Sequence, residues 1–88
     1  MSQNYSETAA SILKNIGGKE NVSFVTHCVT RLRITLKDKN LANTNEIEKL
    51  DGVYGTKWAN GQLQVILGNT VNEVYTELCK LGGFEGKR

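Results

Sequence analysis

The segment V-T-H-C-V-T-R-L-R, Val25 to Arg33, carries a thiol at Cys28, a hydroxyl at Thr30 and guanidinium groups at Arg31 and Arg33. A nearby cation favours thiolate over thiol and so lowers a cysteine's pKa. The planar N–H forks of arginine match phosphate oxygens. A thiolate and two guanidinium groups on one rim therefore make a place for a tetrahedral dianion, with Thr30 as a further hydroxyl donor. Each charge-assisted hydrogen bond there contributes about 1.5–3 kcal/mol. The competing reading is a buried structural thiol, with Arg31 and Arg33 as solvated side chains on the exposed face of an edge strand.

Spacing narrows the chemistry. A cysteine-phosphatase loop is excluded, because only four residues separate Cys28 from Arg33, one fewer than that loop requires, and no glycine-rich cradle lies between them. No set of histidines, carboxylates and cysteines has metal-ligand spacing, and no Walker-type loop or dinucleotide fingerprint occurs, so neither metal nor cofactor is expected. On a regular strand His27 points away from its neighbour Cys28, which gives it a structural or supporting role and keeps it out of the candidate site. Cys79, next to Leu78 on a helical stripe, reads as core packing.

The elements that must position these residues follow from periodicity. From Ser6 to Ile16 the apolar residues Ala9, Ile12, Leu13 and Ile16 fall at helical spacing, with Ser6 as N-cap and Gly17-Gly18 as the stop. N-V-S-F-V-T-H-C-V then reads as a strand, ending near Cys28, and R-L-R-I-T-L as a second. In the second strand Leu32, Ile34 and Leu36 face the core, while Arg31, Arg33 and Thr35 share the opposite face. A short helix over Asn43 to Leu50, with N-cap candidates at its start, Glu46 three residues after Asn43, and an end near Gly52, leads into V-Y-G-T-K-W and Q-L-Q-V-I-L. Those two strands flank Asn60-Gly61, the residue pair of a type I′ hairpin turn. Tyr54 and Trp58 share a face of the third strand and suit either packing or docking. Thr70 with Glu73 forms a capping box for a last helix whose stripe is Val71, Val74, Tyr75 and Leu78, running toward Gly82-Gly83.

The order α-β-β-α-β-β-α predicts an α+β fold: a two-layer sandwich in which a four-stranded antiparallel sheet carries helices on one face. The other face is left partly open, and Arg31 and Arg33 point there. One domain is expected over the 88 residues, with its core at about 6–82 and 83–88 as a linker or a truncated tail. The charge of +2, from 11 basic and 9 acidic residues, is too small to demand nucleic acid or an acidic membrane as partner. Two widely spaced cysteines are no disulfide framework, so a reduced, cytosolic setting fits. The polar N-terminus lacks the layout of a signal peptide, and no apolar run reaches the ~20 residues that span a bilayer.

The residues C-V-T-R-L-R, then L-D-G-V-Y-G and G-Q-L-Q-V-I-L-G-N-T-V-N-E-V-Y, resemble the IIB domain of sugar phosphotransferase permeases of the glucose and β-glucoside superfamily. The resemblance runs from about Gly17 to about Tyr75, and G-G-K-E-N-V with V-T-H-C is most similar to the β-glucoside, sucrose and trehalose branch. Val29 departs from the alanine common in the family. The resemblance implies a phosphotransferase in which Cys28 accepts a phosphoryl group from a phosphohistidine on IIA. Cys28 then passes it to a sugar held by the membrane domain IIC, with Thr30, Arg31 and Arg33 binding the phosphate. It also implies a position at the cytoplasmic side of a bacterial membrane, and a monomer when the domain is isolated. Two alternatives remain beside it. One is an RNA- or protein-binding module with an incidental thiol; the other is a redox switch pairing Cys28 with Cys79, for which the C-x-x-C spacing is lacking.

Overall fold

The computed structural model describes residues 5–59 and 61–83. Helix α1 (Tyr5–Lys14) is followed by strands β1 (Val22–His27) and β2 (Arg31–Leu36). Next come helix α2 (Thr44–Glu48), strands β3 (Gly55–Ala59) and β4 (Gln62–Ile66), and helix α3 (Val71–Gly82). Short 3-10 turns at Lys19–Asn21, Lys39–Leu41 and Gly68–Thr70 join them. The four strands form one antiparallel sheet in the order β1-β2-β4-β3. The α+β sandwich expected from the sequence is the observed fold. No helix among the described residues is long and apolar enough to cross a membrane.

The alternation of R-L-R-I-T-L decides the sheet's two faces. Leu32, Ile34 and Leu36 are buried, and so are Leu63 and Val65, which pair with Ile34 and Leu32 across β2 and β4. Against this layer α1 contributes Ala9 and Ile12, α2 contributes Ile47, and α3 contributes Val71, Val74, Leu78 and Cys79. Burying an aliphatic side chain of this size stabilises the fold by about 1.5–3 kcal/mol, so the stripe residues anchor the helices on one face. The opposite face carries Arg31, Arg33, Thr35, Gln62 and Gln64 by the same two-residue period.

Polar groups tie the element ends together. Asn21, 5% exposed, donates from Nδ2 to the carbonyls of Ile16 (2.7 Å) and Asp38 (2.9 Å), and its Oδ1 accepts from the Asp38 amide at 2.8 Å. One buried amide side chain thus joins the exit of α1, the start of β1 and the exit of β2. Gly17, at φ 96°, passes so near this junction that a β-carbon there would lie 2.9 Å from the Leu41 Cβ and 3.0 Å from the Asn21 Nδ2. That close approach requires a glycine.

Several sequence expectations are corrected. Ser6 is not the cap of α1: the helix already includes Tyr5, and Ser6 lies inside it. The capping box of Thr70 and Glu73 does not form. Thr70 enters α3 from a 3-10 turn at φ −91°, ψ 4°, and its hydroxyl turns back to donate to the Leu67 carbonyl at 2.9 Å. An N-cap needs extended backbone to aim its oxygen at the amides of the first turn, and Thr70 lacks that geometry. β2 is not an edge strand, since β1 and β4 flank it. By contrast Asn43 caps α2, its Oδ1 accepting from the Glu46 amide at 3.3 Å. Of the expected turn pair, Asn60 lies outside the described residues; Gly61 has φ 75°, and Ala59 faces Gln62 across the hairpin. Residues 84–88 of the expected tail also lie outside them.

Candidate functional site

β1 and β2 are neighbours in sequence and in space, so the chain must reverse within the residues between His27 and Arg31. Cys28, Val29 and Thr30 make that reversal. The Cys28 amide donates to the Arg31 carbonyl at 2.9 Å and closes the hairpin. The Thr30 carbonyl accepts from two amides of the segment leaving β4, Leu67 at 2.9 Å and Gly68 at 3.0 Å. His27 lies on the helix-covered face, its ring centroid 4.4 Å from that of Tyr75 in α3. From there its Nδ1 donates to the Cys28 carbonyl at 3.1 Å; since a carbonyl only accepts, that nitrogen carries the proton. A turn held at both ends and along its length presents Val29, 85% exposed, at its tip and leaves Cys28 half-buried beside it.

The surroundings of the sulfur favour its ionised form. The Thr30 amide hydrogen-bonds the thiol and has the largest effect; the Arg33 guanidinium comes next, as hydrogen-bond donor and as charge. Partial burial pulls the other way, and the Arg31 amide adds a smaller stabilisation. Together they lower the Cys28 pKa from 9.0 to about 7. Backbone amides and one guanidinium converging on one sulfur would serve equally for an anion attached to it, because N–H donors stabilise negative charge wherever it is held.

The two arginines lie differently around the thiol. Arg33 reaches the thiol, whereas the group of Arg31 that acts on it is the main-chain amide. The Arg31 guanidinium donates from Nη1 to Gln64 Oε1 at 2.8 Å. Gln64 Nε2 donates to Gln62 Oε1 at 3.3 Å, and that oxygen also accepts from Arg33 Nη1 at 3.3 Å. Arg31, Gln64, Gln62 and Arg33 are thus one continuous chain on the open face of the sheet. A glutamine carbonyl orients a guanidinium without cancelling its charge, as a carboxylate would. Neither arginine is the freely solvated side chain of the competing reading: both are half-buried on a central strand. Thr30 likewise contributes its amide to the thiol.

Gln62 and Gln64 were not among the residues singled out from the sequence. Their signal is the alternation of Q-L-Q-V-I-L, which puts both glutamines opposite Leu63 and Val65; that this face meets the arginines depends on β4 pairing with β2. Gln64 is 4% exposed, and a buried amide without partners would be costly, so its bonds to Arg31 and Gln62 make its burial tolerable. Cys79 packs in the core, as expected of it. Tyr54 and Trp58 are both exposed, and the Tyr54 ring lies so close over Gly68 that a β-carbon there would meet its Cε2 at 2.9 Å.

A family model described as phosphotransferase system, EIIB, matches residues 10–43, a stretch that runs from α1 through β2 and includes the cysteine turn. The PTS system beta-glucoside-specific EIIBCA component of Halalkalibacterium halodurans is 43% identical over 83 residues, which is 94% of this chain and 13% of that relative. The PTS system sucrose-specific EIIBC component of Staphylococcus xylosus is 47% identical over 83 residues, 93% of this chain and 17% of that protein. The chain therefore spans less than a fifth of the length of these curated relatives. Among solved structures, one domain of the PTS system IIabc component from Clostridium difficile superposes with a TM-score of 0.84 at 43% identity, covering 89% of this chain and 82% of that one.

Proposed function

This chain belongs to the EIIB family of the phosphotransferase system, and from that premise we propose that Cys28 is the atom-level carrier of the phosphoryl group. What supports the reading is the placement of the half-buried Cys28 in the β1–β2 turn, where the Thr30 amide, the Arg33 guanidinium and the Arg31 amide lower its pKa to about 7. A thiol half-ionised near neutrality needs no dedicated general base, since thiolate is already present when the donor arrives.

The donor is a phosphohistidine of a IIA domain. The Cys28 thiolate attacks phosphorus in line, the S–P bond forms, the P–N bond breaks, and the departing imidazole nitrogen takes up a proton from water. In the second step a hydroxyl of a sugar held by a IIC membrane domain attacks the same phosphorus. The O–P bond forms, the S–P bond breaks, the hydroxyl proton leaves to solvent, and thiolate is restored. Both transition states spread charge over three equatorial oxygens, so the protein's task is positioning and charge stabilisation. The Thr30 and Arg31 amides and the Arg33 guanidinium are placed for that charge. Arg31, its guanidinium held by Gln64, supplies a second fork.

Relatives that join B with C, or B with C and A, in one polypeptide support IIC and IIA as the partners. Their names span β-glucoside, sucrose, trehalose, and arbutin, cellobiose and salicin. A carrier whose own site contacts only phosphate is compatible with all of them, and sugar selection falls to the IIC pocket. A IIB unit that serves such a IIC domain acts at the cytoplasmic side of the membrane, in keeping with relatives that join B with C.

Intact-mass measurement tests the reading. After incubation with phosphoenolpyruvate, the general phosphotransferase proteins and a IIA, the wild-type chain gains one phosphoryl group, Cys28→Ser gains none, and Cys79→Ser still gains one. Absence of the adduct on wild type, or its persistence in Cys28→Ser, removes the proposal.

A further inference from the structure

Strand alternation turns the His27 side chain away from the thiol. That placement holds, and yet the ring reaches the site by another route. Its Nδ1 donates to the carbonyl of Cys28, at 3.1 Å, and its ring packs on Tyr75 with centroids 4.4 Å apart and planes inclined by 54°. Cys28 thus has both backbone polar groups fixed: its amide by the Arg31 carbonyl at 2.9 Å, its carbonyl by His27.

We propose that His27 is a positioning residue of the phosphoryl-carrying turn, clamping the Cys28–Val29 peptide from the helix side so that the following amides stay aimed at the sulfur. The inference rests on the carrier reading of Cys28. Its physical content is a matter of degrees of freedom. The Thr30 carbonyl is tied to Leu67 and Gly68, which fixes the far end of the turn. The near end turns on the Cys28 backbone: rotation about its Cα–C bond would move its carbonyl and, with it, the chain that carries the Thr30 amide, the largest single influence on the thiol. A hydrogen bond from His27 opposes that rotation, and Tyr75 gives the imidazole a surface to rest on. Because Nδ1 is protonated in the neutral tautomer making this bond and in the imidazolium, the clamp holds in either charge state. A histidine suits the position through its shape and its Nδ1 donor.

The test separates this role from simple stability and from the carrier reading. Alkylation of Cys28 by iodoacetamide, followed across pH by peptide mass analysis, reports the thiol's ionisation without any phosphoryl donor. Phosphoryl gain from IIA is measured in parallel, with thermal melts as a folding control. His27→Leu removes the donor and keeps an apolar side chain against Tyr75. It is expected to raise the Cys28 pKa by about one unit, the scale of losing one well-aimed hydrogen bond to the charged form, and to slow phosphoryl gain at pH 7 about fivefold. His27→Asn places a side-chain N–H where Nδ1–H stands and is expected to bring both readouts back to within about threefold of wild type. An unchanged thiol titration in His27→Leu would overturn the proposal. So would an Asn variant that melts like wild type yet titrates like the Leu variant. If wild type gains no phosphoryl group, the carrier reading fails while the titration still decides whether His27 sets the turn.

Discussion

Replacing Arg33 by glutamine should shift the ionisation of Cys28 where the same change at Arg31 should not. Arg33 acts on the sulfur as hydrogen-bond donor and as charge, and Arg31 acts only through an amide that the substitution leaves in place. An adjacent guanidinium lowers an acidic pKa by about one to three units; with the amides retained and solvent near the turn, the low end of that range applies. The wild-type thiol, at about 7, is about half ionised at pH 7. A rise of about one unit in Arg33→Gln leaves about a tenth as thiolate at that pH, so the alkylation rate at pH 7 falls about fivefold and recovers above pH 8. Arg31→Gln should stay within about twofold of wild type at every pH, because its guanidinium is engaged with Gln64. The assay is the second-order rate constant of iodoacetamide with Cys28 between pH 5 and 10, mapped to the Cys28 peptide so that buried Cys79 does not contribute. Equal displacement of the two titration curves would refute this division between the arginines, as would an Arg33→Gln curve coincident with wild type.

Three further outcomes follow from the same geometry. The folded thiol has a lower pKa than its ordinary value of 9.0, so the unfolded chain binds more protons between about pH 7 and 9 and stability tied to this group rises with pH across that window. Denaturant midpoints should show that rise in wild type and lose it in Cys28→Ser. Asn21→Ala removes three hydrogen bonds at a buried junction and strands the Ile16 and Asp38 carbonyls; a loss of about 2–4 kcal/mol in urea unfolding is expected, and a loss below about 1 would show that water replaces the side chain. For Arg31→Lys, phosphoryl transfer to sugar should fall further than the retained charge suggests, since an ammonium cannot donate to Gln64 and a phosphate oxygen with the planar fork; near-normal transfer measured by sugar-phosphate formation would count against the second-fork role.

What was legible in the sequence is what depends on short-range periodicity. R-L-R-I-T-L fixes its own two faces, N-T-N-E carries its own cap at Asn43, and two adjacent glycines end α1 wherever the surrounding chain goes. The open face of the sheet was legible for the same reason. Two kinds of feature were not. Gln62 and Gln64 meet the arginines only because β4 inserts between β2 and β3, a pairing between residues about thirty apart in sequence that no local period encodes. Thr70 has the residue types of a capping box, but a preceding 3-10 turn takes away the backbone angles on which that cap relies. At the turn itself the positions of thiol and arginines could be read, while the larger share of main-chain amides in holding charge could not, because every residue carries the same amide and only the fold aims it.

The double tether on the Thr30 carbonyl bears on how such a turn can change. Leu67 and Gly68 grip it through main-chain atoms alone, as Arg31 grips the Cys28 amide. Side chains at the tip are therefore free of any share in keeping the sulfur's donors aligned, and Val29 projects from the turn with nearly all its surface bare. Shape or greasiness at that tip can be altered to suit one docking surface or another while the reacting atoms keep their places. The hairpin separates what is touched from what reacts, within three consecutive residues.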